Sequence, residues 1–330
     1  MSGSGKMNVY NPPVMLGGVT VAAGERTLID IPVARLPTET WLQLPIEVVN
    51  GLYPGPRLWI AAAVHGDELN GMEIIRRVLE HLQPTSMSGT VIAAPIVNVF
   101  GFIEQSRYLP DRRDLNRSFP GSPNGSVAAR IAHLFMDQVV NQCSYGIDLH
   151  TGSNHRTNYP QIRGNLQDAE TRRCAQAFAA PVMMHAETLR GSLREAATKR
   201  GACVLLYEGG EPLRFDPHAI DVGVAGVLRV LAALNMVRSR AKRQPSQSIE
   251  LGETTWVRAR RGGILRLDVE LGQHVKARQR LGVIGGALGT DSVAVLAPED
   301  GIVIGLTQNP LVNQGDSIVH LGSPVDSLDD

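Results

Sequence analysis

The 330-residue sequence has few cysteines, few aromatic residues and no excess of either charge. Its three cysteines, Cys143, Cys174 and Cys203, lie far apart and form no Cys-x-x-Cys pair. This spacing excludes a disulfide framework and suits a reducing cytoplasm. Aromatic residues make up 5% of the chain and hydrophobic residues 43%, so we expect a sizeable and mostly aliphatic core.

The charge balance and the lack of long apolar runs argue against two classes of partner. Lys plus Arg and Asp plus Glu number 32 each, and a formal net charge of zero argues against nucleic acid or an anionic membrane as the main partner. The first residues, MSGSGKMNVYNPP, lack the apolar run of a signal peptide. No stretch approaches the roughly 18 apolar residues that span a bilayer. We therefore expect a cytoplasmic protein.

Apolar runs alternate with segments of helical spacing over the first 240 residues. Residues 58–64 form a continuous apolar run, typical of a strand covered on both faces, and 71–82 have apolar residues at helical spacing. The further predicted strands are 90–99, 146–150, 181–185 and 203–207, and the further predicted helices are 126–140, 168–179, 192–199 and 217–235. This alternation predicts an α/β fold with a mostly parallel or mixed sheet and helices on both faces.

The character of the sequence changes at its two ends. Residues 1–50 are β-rich and form an extension of the first predicted domain, 1–240. Residues 236–249 are polar and basic with one proline, which is typical of a linker. Short β-rich pieces then alternate with glycine turns, which predicts an all-β domain over 250–330.

Two histidines and a glutamate follow apolar strands. His65 and Glu68 lie three residues apart directly after the run 58–64, and His150 ends the predicted strand 146–150. Sheets of this kind bind ligands at the carboxyl ends of their strands, so we expect the three side chains to meet in one cleft. Two His and one Glu form a known ligand set of catalytic zinc sites, which keep one position open. The sequence predicts one zinc ion per chain, preferred over cobalt or manganese.

A further glutamate after an apolar strand, and a segment rich in arginine, suggest hydrolytic chemistry. Glu208 follows the apolar strand 203–207, and its carboxylate could take a proton from water activated by zinc. The segment 107–121 is rich in arginine, whose planar fork binds carboxylates in a bidentate way. Arg107 and Arg117 could therefore hold a substrate carboxylate or polarise the scissile carbonyl.

Together, these motifs resemble the succinylglutamate desuccinylase/aspartoacylase family, a branch of the zinc carboxypeptidase-like hydrolases. The resemblance covers roughly residues 57–235 and is carried by the pieces HGDE, SRY, DLNR, DLH and EGG in that order. It implies zinc-assisted removal of acyl groups from N-acyl amino acids, with His65, Glu68 and His150 as the metal ligands.

The same resemblance implies roles for four further residues. Glu208 corresponds to the catalytic glutamate, Asn116 and Arg117 to the pair that binds the substrate carboxylate, and Arg107 to the arginine that steadies the carbonyl or oxyanion. The spacing between Arg107 and Asn116 looks slightly longer than in aspartoacylase. Arg112 or Arg113 therefore remains an alternative for the role of Arg107.

The tail resembles a biotinyl/lipoyl-type barrel-sandwich through the pieces RGGIL, VELGQHVKA, LGVI and APEDGIVI. Carrier versions present a modifiable lysine at a hairpin tip. The corresponding stretch here, 286–297, contains no lysine, and Lys276 falls where such modules have an ordinary surface turn. We expect no biotin or lipoyl attachment and predict that the tail is a lid or an interface element.

The sequence therefore predicts a zinc-dependent amidohydrolase that acts on the linear amide of a small N-acyl amino acid. Two alternatives remain: a metallocarboxypeptidase acting on small peptides, and a zinc-binding module without catalysis. The sequence names neither the acyl group nor the amino acid. It also leaves open whether the chain forms a homo-oligomer.

Overall fold

The computed structural model describes residues 10–238, 247–289 and 291–325, and all structural statements below refer to these residues. Most of the predicted linker, 236–249, falls at 239–246, outside the described residues. The strands are β1 (Val14–Leu16), β2 (Val19–Val21), β3 (Glu25–Arg35), β4 (Trp41–Asn50), β5 (Tyr53–Ala62), β6 (Ser88–Ala94), β7 (Tyr145–His150), β8 (Arg156–Gly164), β9 (Val182–His185), β10 (Cys203–Gly210), β11 (Ile249–Arg258), β12 (Gly263–Leu267), β13 (His274–Val275), β14 (Arg280–Gly285), β15 (Val293–Leu296), β16 (Gly301–Thr307), β17 (Leu311–Val312) and β18 (Ser317–Pro324). The α-helices are α1 (Asn70–His81), α2 (Val99–Ile103), α3 (Val127–Gln138), α4 (Ala169–Phe178), α5 (Leu193–Thr198) and α6 (Pro217–Ala233).

A twelve-stranded mixed sheet runs through the molecule in the order β13-β16-β18-β11-β9-β8-β10-β7-β5-β6-β4-β3. The central strands β6, β5, β7 and β10 are parallel. Antiparallel strands β4 and β3 extend the sheet on one side, and β8 lies antiparallel to β10 on the other. The predicted α/β fold is confirmed, and of the two predicted kinds of sheet, mostly parallel or mixed, the structure has the mixed one because antiparallel strands flank its centre.

Helices cover both faces of the sheet, as predicted. Helices α1, α4 and α6 pack on one face, where Ile74 and Phe178 are buried, and α3 and α5 pack on the other, where Phe135 and Leu193 are buried. The side chains of β5 alternate between these two cores, so the continuous apolar run of this strand is covered on both sides. Each fully buried aliphatic side chain contributes roughly 1.5–3 kcal/mol to the free energy of unfolding.

The strand predicted over 90–99 is shorter than expected. It ends at Ala94, and Asn98 then caps helix α2 by accepting a hydrogen bond from the backbone N–H of Gly101. An Asn side chain at a helix N-cap satisfies an amide that has no partner within the helix. The apolar residues after Ala94 therefore continue the core without continuing the strand.

The chain from residue 247 onward is all-β, and its strands are divided between the large sheet and a second, smaller sheet. Strand β11 pairs parallel with β9, and β16 pairs antiparallel with β8, so the large sheet continues into the C-terminal strands. Strands β15, β14, β12 and β17 form a second, four-stranded sheet. Arg172 of α4 and Glu250 of β11 form an ion pair across the junction. The boundaries 1–240 and 250–330 stay a prediction.

None of the helices among the described residues is long and apolar enough to cross a membrane. The cytoplasmic location stays a prediction.

Candidate metal centre and active site

The predicted site residues meet at the carboxyl ends of the neighbouring parallel strands β5, β7 and β10. Ala63, just after β5, has a positive φ of 47°, and this turn precedes His65. Gly66 lies so close to the helix α2 backbone that a Cβ would approach the carbonyl carbon of Gly101 to 1.9 Å. Only glycine fits there, so the turn that presents His65 tolerates no side chain at the next position.

His65, Glu68 and His150 form a buried cluster. One ligand atom from each residue lies within 4.8 Å of the others. Nδ1 of His65 lies 2.7 Å from Oε1 of Glu68, and Nδ1 of His150 lies 2.8 Å from Oε2 of the same carboxylate. Two imidazole nitrogens and a carboxylate oxygen facing one point form a donor set that suits zinc and leaves a position open. The residues present therefore fit the metal that the sequence predicts.

The electrostatics of the cluster favour a cation. Burial by itself lowers the pKa of His150, but Asp148 and Glu68 raise it well above its ordinary value. The pKa of His65 is also raised despite burial, by Glu68 and Asp114. Burial raises the pKa of Glu68, yet the two histidines hold it well below its usual range. A buried carboxylate that stays ionised attracts positive charge to the imidazoles beside it. That charge can be a proton on each ring or a metal ion, and the rings must be neutral to bind the metal.

Two aspartates contact the far sides of the histidine rings. Nε2 of His65 lies 3.2 Å from Oδ1 of Asp114. Nε2 of His150 lies 3.1 Å from Oδ2 of the fully buried Asp148, although the two groups are not aligned as a hydrogen bond. Carboxylates in this position orient ligand histidines and raise their basicity. The only sequence signal for either aspartate is its place in a motif, DLH for Asp148 and DLNR for Asp114.

Arg107 is the arginine of its loop that reaches the cluster. Its Nη1 lies 3.2 Å from Nδ1 of His65 and 3.3 Å from Oε1 of Glu68, and its Nη2 donates to Asp114 at 2.9 Å. The two alternatives, Arg112 and Arg113, are exposed and do not line the cavity described below. The geometry therefore favours Arg107 over both alternatives.

Asn116 and Arg117 lie on the same loop, in a short 3₁₀ turn that Asp114 caps. Oδ1 of Asn116 accepts a hydrogen bond from the backbone N–H of Leu193, which ties the loop to the start of α5. Nη1 of Arg117 donates to the backbone carbonyl of Asn116 at 2.7 Å. Both side chains line the cavity, so the structure brings them to the cluster as expected.

The cluster opens into a cavity of about 320 Å³. Glu208 lines this cavity and lies directly opposite His150 in the pairing of β10 with β7. The amide of Asn158 donates a hydrogen bond to the Glu208 carboxylate and fixes its orientation. The cavity residues that sequence reasoning missed include Arg156, Asn158, Arg163, Arg194, Trp256 and His320.

The C-terminal strands supply part of the cavity wall. The rings of Trp256 and His320, opposite each other on β11 and β18, stack with centroids 4.3 Å apart and planes 6° apart. The guanidinium of Arg156 lies 4.9 Å from the Trp256 ring centroid, a cation–π distance. Burial, together with Arg163 and Arg156, lowers the pKa of His320 to about 3. No local motif marks these residues, since they reach the cavity only through pairing of distant strands.

A His₂Glu cluster beside a carboxylate, at the carboxyl ends of parallel strands, is typical of zinc hydrolases. Comparison with known proteins identifies the family of the chain. The model of the "Succinylglutamate desuccinylase/Aspartoacylase catalytic domain" matches residues 54–234. The chain belongs to this family.

Similar proteins include one curated relative and several solved structures. The N-alpha-acetyl-L-2,4-diaminobutyric acid deacetylase of Halomonas elongata is 27% identical over 300 residues, which cover 87% of each chain. A succinylglutamate desuccinylase/aspartoacylase structure from Rhodobacter sphaeroides has a TM-score of 0.81 and 25% identity, covering 91% of this chain and 96% of that one. The product-bound ectoine utilization protein EutE (DoeB) from Ruegeria pomeroyi has a TM-score of 0.80 at 22% identity, with coverages of 91% and 95%, and shares the fold. These coverages extend beyond residues 54–234.

Proposed function

We propose that this chain is a zinc-dependent deacylase that hydrolyses the amide bond of a small N-acyl amino acid. The observation that carries the proposal is the opening of the His65, Glu68 and His150 cluster into the cavity that Glu208 and Arg117 line. Membership in a family of deacylases supports amide hydrolysis as the reaction. The curated relative, whose name gives an N-acetylated amino acid as substrate, supports the substrate class.

In this proposal His65, Glu68 and His150 hold zinc, which when bound polarises a carbonyl and lowers the pKa of water to about 7. Glu208, oriented by Asn158, accepts the proton of the attacking water and returns it to the departing amine. The products are a carboxylate and a free amino acid.

Two arginines have separate roles in the same proposal. Arg107 lies beside the metal ligands, where its positive charge stabilises negative charge that develops on the carbonyl oxygen. Arg117 forms no ion pair with any described residue and can bind the substrate carboxylate through its two-pronged fork. Together they position the amide between the cluster and Glu208.

The size of the cavity supports a small substrate. Its volume of about 320 Å³ lies at the lower end of the range for small-molecule sites. Trp256 and His320 close one side, which agrees with the predicted role of the C-terminal strands as a lid or interface element. A longer peptide would have to displace this wall.

The test uses the purified, zinc-loaded protein and measures hydrolysis of two sets of substrates. One set is N-acyl amino acids, and the other is dipeptides and tripeptides of the same amino acids. Release of free amine from the N-acyl amino acids, and little or none from the peptides, supports the proposal. Preferential cleavage of the peptides would replace it with a metallocarboxypeptidase. Zinc binding without hydrolysis of any substrate would indicate a non-catalytic zinc-binding module.

A further inference from the structure

We propose that Cys174 of α4 and Cys203 of β10 form a redox site at which a hydroperoxide converts the two thiols into a reversible disulfide. The inference goes beyond the proposed deacylase function and does not depend on it. All three cysteines of the chain are free thiols in the structure. Cys174 and Cys203 belong to one core on one face of the large sheet, whereas Cys143 belongs to the core on the opposite face.

The two cysteines meet where α4 packs against β10. Cα atoms of the two elements approach within 8 Å of each other. Cys203 packs against the core that contains the buried Cys174, and a hydrogen bond joins the two thiols. A disulfide needs Cα atoms roughly 4.4–6.8 Å apart, so a helix and a strand packed at this range can be bridged. The pair is therefore placed for oxidation to a disulfide.

A second cavity gives Cys203 access to solvent. This cavity has a volume of about 350 Å³, and Thr171 and Cys203 are among the residues that line it. Cys203 is half-buried, whereas Cys174, one helical turn after Thr171, is 1% exposed and does not line the cavity. A small oxidant that enters the cavity therefore meets Cys203 first.

The contact between the thiols also favours ionisation of Cys203. The hydrogen bond from Cys174 lowers the pKa of Cys203, although burial opposes this. The same hydrogen bond, together with burial, raises the pKa of Cys174. The thiolate is the form of cysteine that attacks peroxide. Cys203 is therefore the attacking thiol, and Cys174 is the thiol that resolves the oxidised product.

The surroundings of Cys203 suit a small uncharged oxidant. The carboxylates of Asp168 and Glu170 line the same cavity and oppose negative charge at Cys203. An anionic oxidant would meet the same repulsion. Hydrogen peroxide is uncharged at neutral pH and hardly larger than water, so it can enter the cavity without being repelled.

The oxidation takes place in two balanced steps. The Cys203 thiolate attacks one oxygen of hydrogen peroxide, which forms an S–O bond and breaks the O–O bond, so the sulfur is oxidised to a sulfenic acid and the peroxide is reduced. The hydroxide released takes up the proton that Cys203 lost. The Cys174 sulfur then attacks the Cys203 sulfur, which forms the S–S bond and breaks the S–O bond, and the departing hydroxide leaves as water with the proton of Cys174. Two thiols and one peroxide thus give one disulfide and two waters.

Cys143 provides a control within the same chain. It is buried in the core on the opposite face of the sheet, and burial raises its pKa to about 12. It does not line the second cavity. A general sensitivity of the cysteines to peroxide would therefore include Cys143, whereas a specific dithiol site leaves it reduced.

The test treats the folded, zinc-loaded chain with hydrogen peroxide and then identifies the oxidised cysteines by mass spectrometry. Remaining thiols are alkylated with iodoacetamide in denaturant before digestion with trypsin. Cleavage after Arg173 and Arg200 places the two cysteines on separate peptides, 174–190 and 201–214. A disulfide between the two cysteines therefore appears as one linked species, which a reducing agent separates.

The proteins compared are the wild type, Cys174→Ser, Cys203→Ser and the control Cys143→Ser. We expect the linked species in the wild type and in Cys143→Ser, formed at least about tenfold faster than any oxidation of Cys143 and reversed by dithiothreitol. Cys174→Ser should accumulate a sulfenic acid at Cys203, which dimedone traps, because the resolving thiol is absent. Cys203→Ser should leave Cys174 reduced.

Circular dichroism and zinc content show whether each variant folds, and the wild-type result does not depend on any variant. A wild-type chain in which Cys174 and Cys203 stay reduced, or in which Cys143 is oxidised as fast as they are, would overturn the proposal. A dimedone adduct that forms on Cys174 in Cys203→Ser as fast as on Cys203 in Cys174→Ser would overturn the assignment of Cys203 as the attacking thiol.

Discussion

Glu208 of β10 lies directly opposite His150 of β7 in a parallel pairing. Because opposite residues of paired strands project to the same face, this register places a carboxylate next to a ligand of the proposed metal site. The relationship depends on the alignment of two strands whose sequences lie almost 60 residues apart. It connects the fold to the chemistry that we propose.

Replacing Glu208 by Gln should lower kcat by about 10²–10⁴-fold, because the proton of the attacking water then has no general base. Zinc content should not change, since Glu208 is not one of the three clustered ligands. The control is Glu211→Gln, three residues further on, where the side chain pairs with Arg214 outside the cavity. Wild-type activity in Glu208→Gln would remove this residue from the mechanism.

Replacing Asp114 by Asn should weaken zinc binding by about 10–100-fold, the usual effect of losing a carboxylate that orients a ligand histidine. Asp114 contacts both His65 and Arg107, so kcat should fall as well. Affinity is measured by competition with a chromophoric chelator. Asp111→Asn, which breaks an exposed pair with Arg113, should leave affinity unchanged. Equal effects of the two substitutions would argue against an orienting role for Asp114.

The buried His320 predicts a particular pH dependence of stability. Its pKa is lowered from 6.5 to about 3 in the folded chain by burial, Arg163 and Arg156, so between these values the unfolded chain binds more protons. The free energy of unfolding should therefore fall as pH falls from about 6.5 toward 3. The contribution of His320 to this loss should reach roughly 1–2 kcal/mol at pH 5.

Urea titrations at several pH values would test this contribution of His320 to the free energy of unfolding. The His320→Gln variant should lose less stability between pH 7 and pH 5 than the wild type, while the exposed His274→Gln variant should follow the wild type. The other titrating groups are common to all three proteins, so the difference between curves isolates His320. Parallel curves for the wild type and His320→Gln would contradict the pKa assignment.

Replacing Trp256 by Ala should open the cavity wall that the C-terminal strands supply. It removes the stack with His320 and the contact with Arg156. We expect KM to rise by about tenfold, since a stacked pair contributes roughly 0.5–1.5 kcal/mol and the wall also confines the substrate. Zinc content should be retained. The control is the exposed Trp41→Ala; an unchanged KM in Trp256→Ala would argue against a role for the wall.

The sequence predicted the elements that depend on local periodicity. The run that became β5 and the helical spacing of α1 are confirmed, because burial on both faces of a strand or one face of a helix leaves a direct pattern. Strand β8 was missed: its residues are mostly polar and include Pro160 and Arg163. Several of these polar residues line the cavity.

The residues of the candidate metal centre were also predicted from local patterns in the sequence. His65, Glu68, His150 and Glu208 follow apolar strands, and the structure brings them together. Trp256 and His320 could not be found from sequence, because they reach the cavity only when the large sheet continues from β9 into β11. Pairing between distant strands leaves little local signal.

The central claim is that His65, Glu68 and His150 hold one zinc ion. The most direct test is the metal content of the purified chain beside that of His65→Ala and of the control His81→Ala, which changes an exposed histidine at the end of α1. We predict one zinc per chain in the wild type and in His81→Ala, and none in His65→Ala. A folded wild-type chain that contains no metal and takes up none when zinc is added would contradict the account.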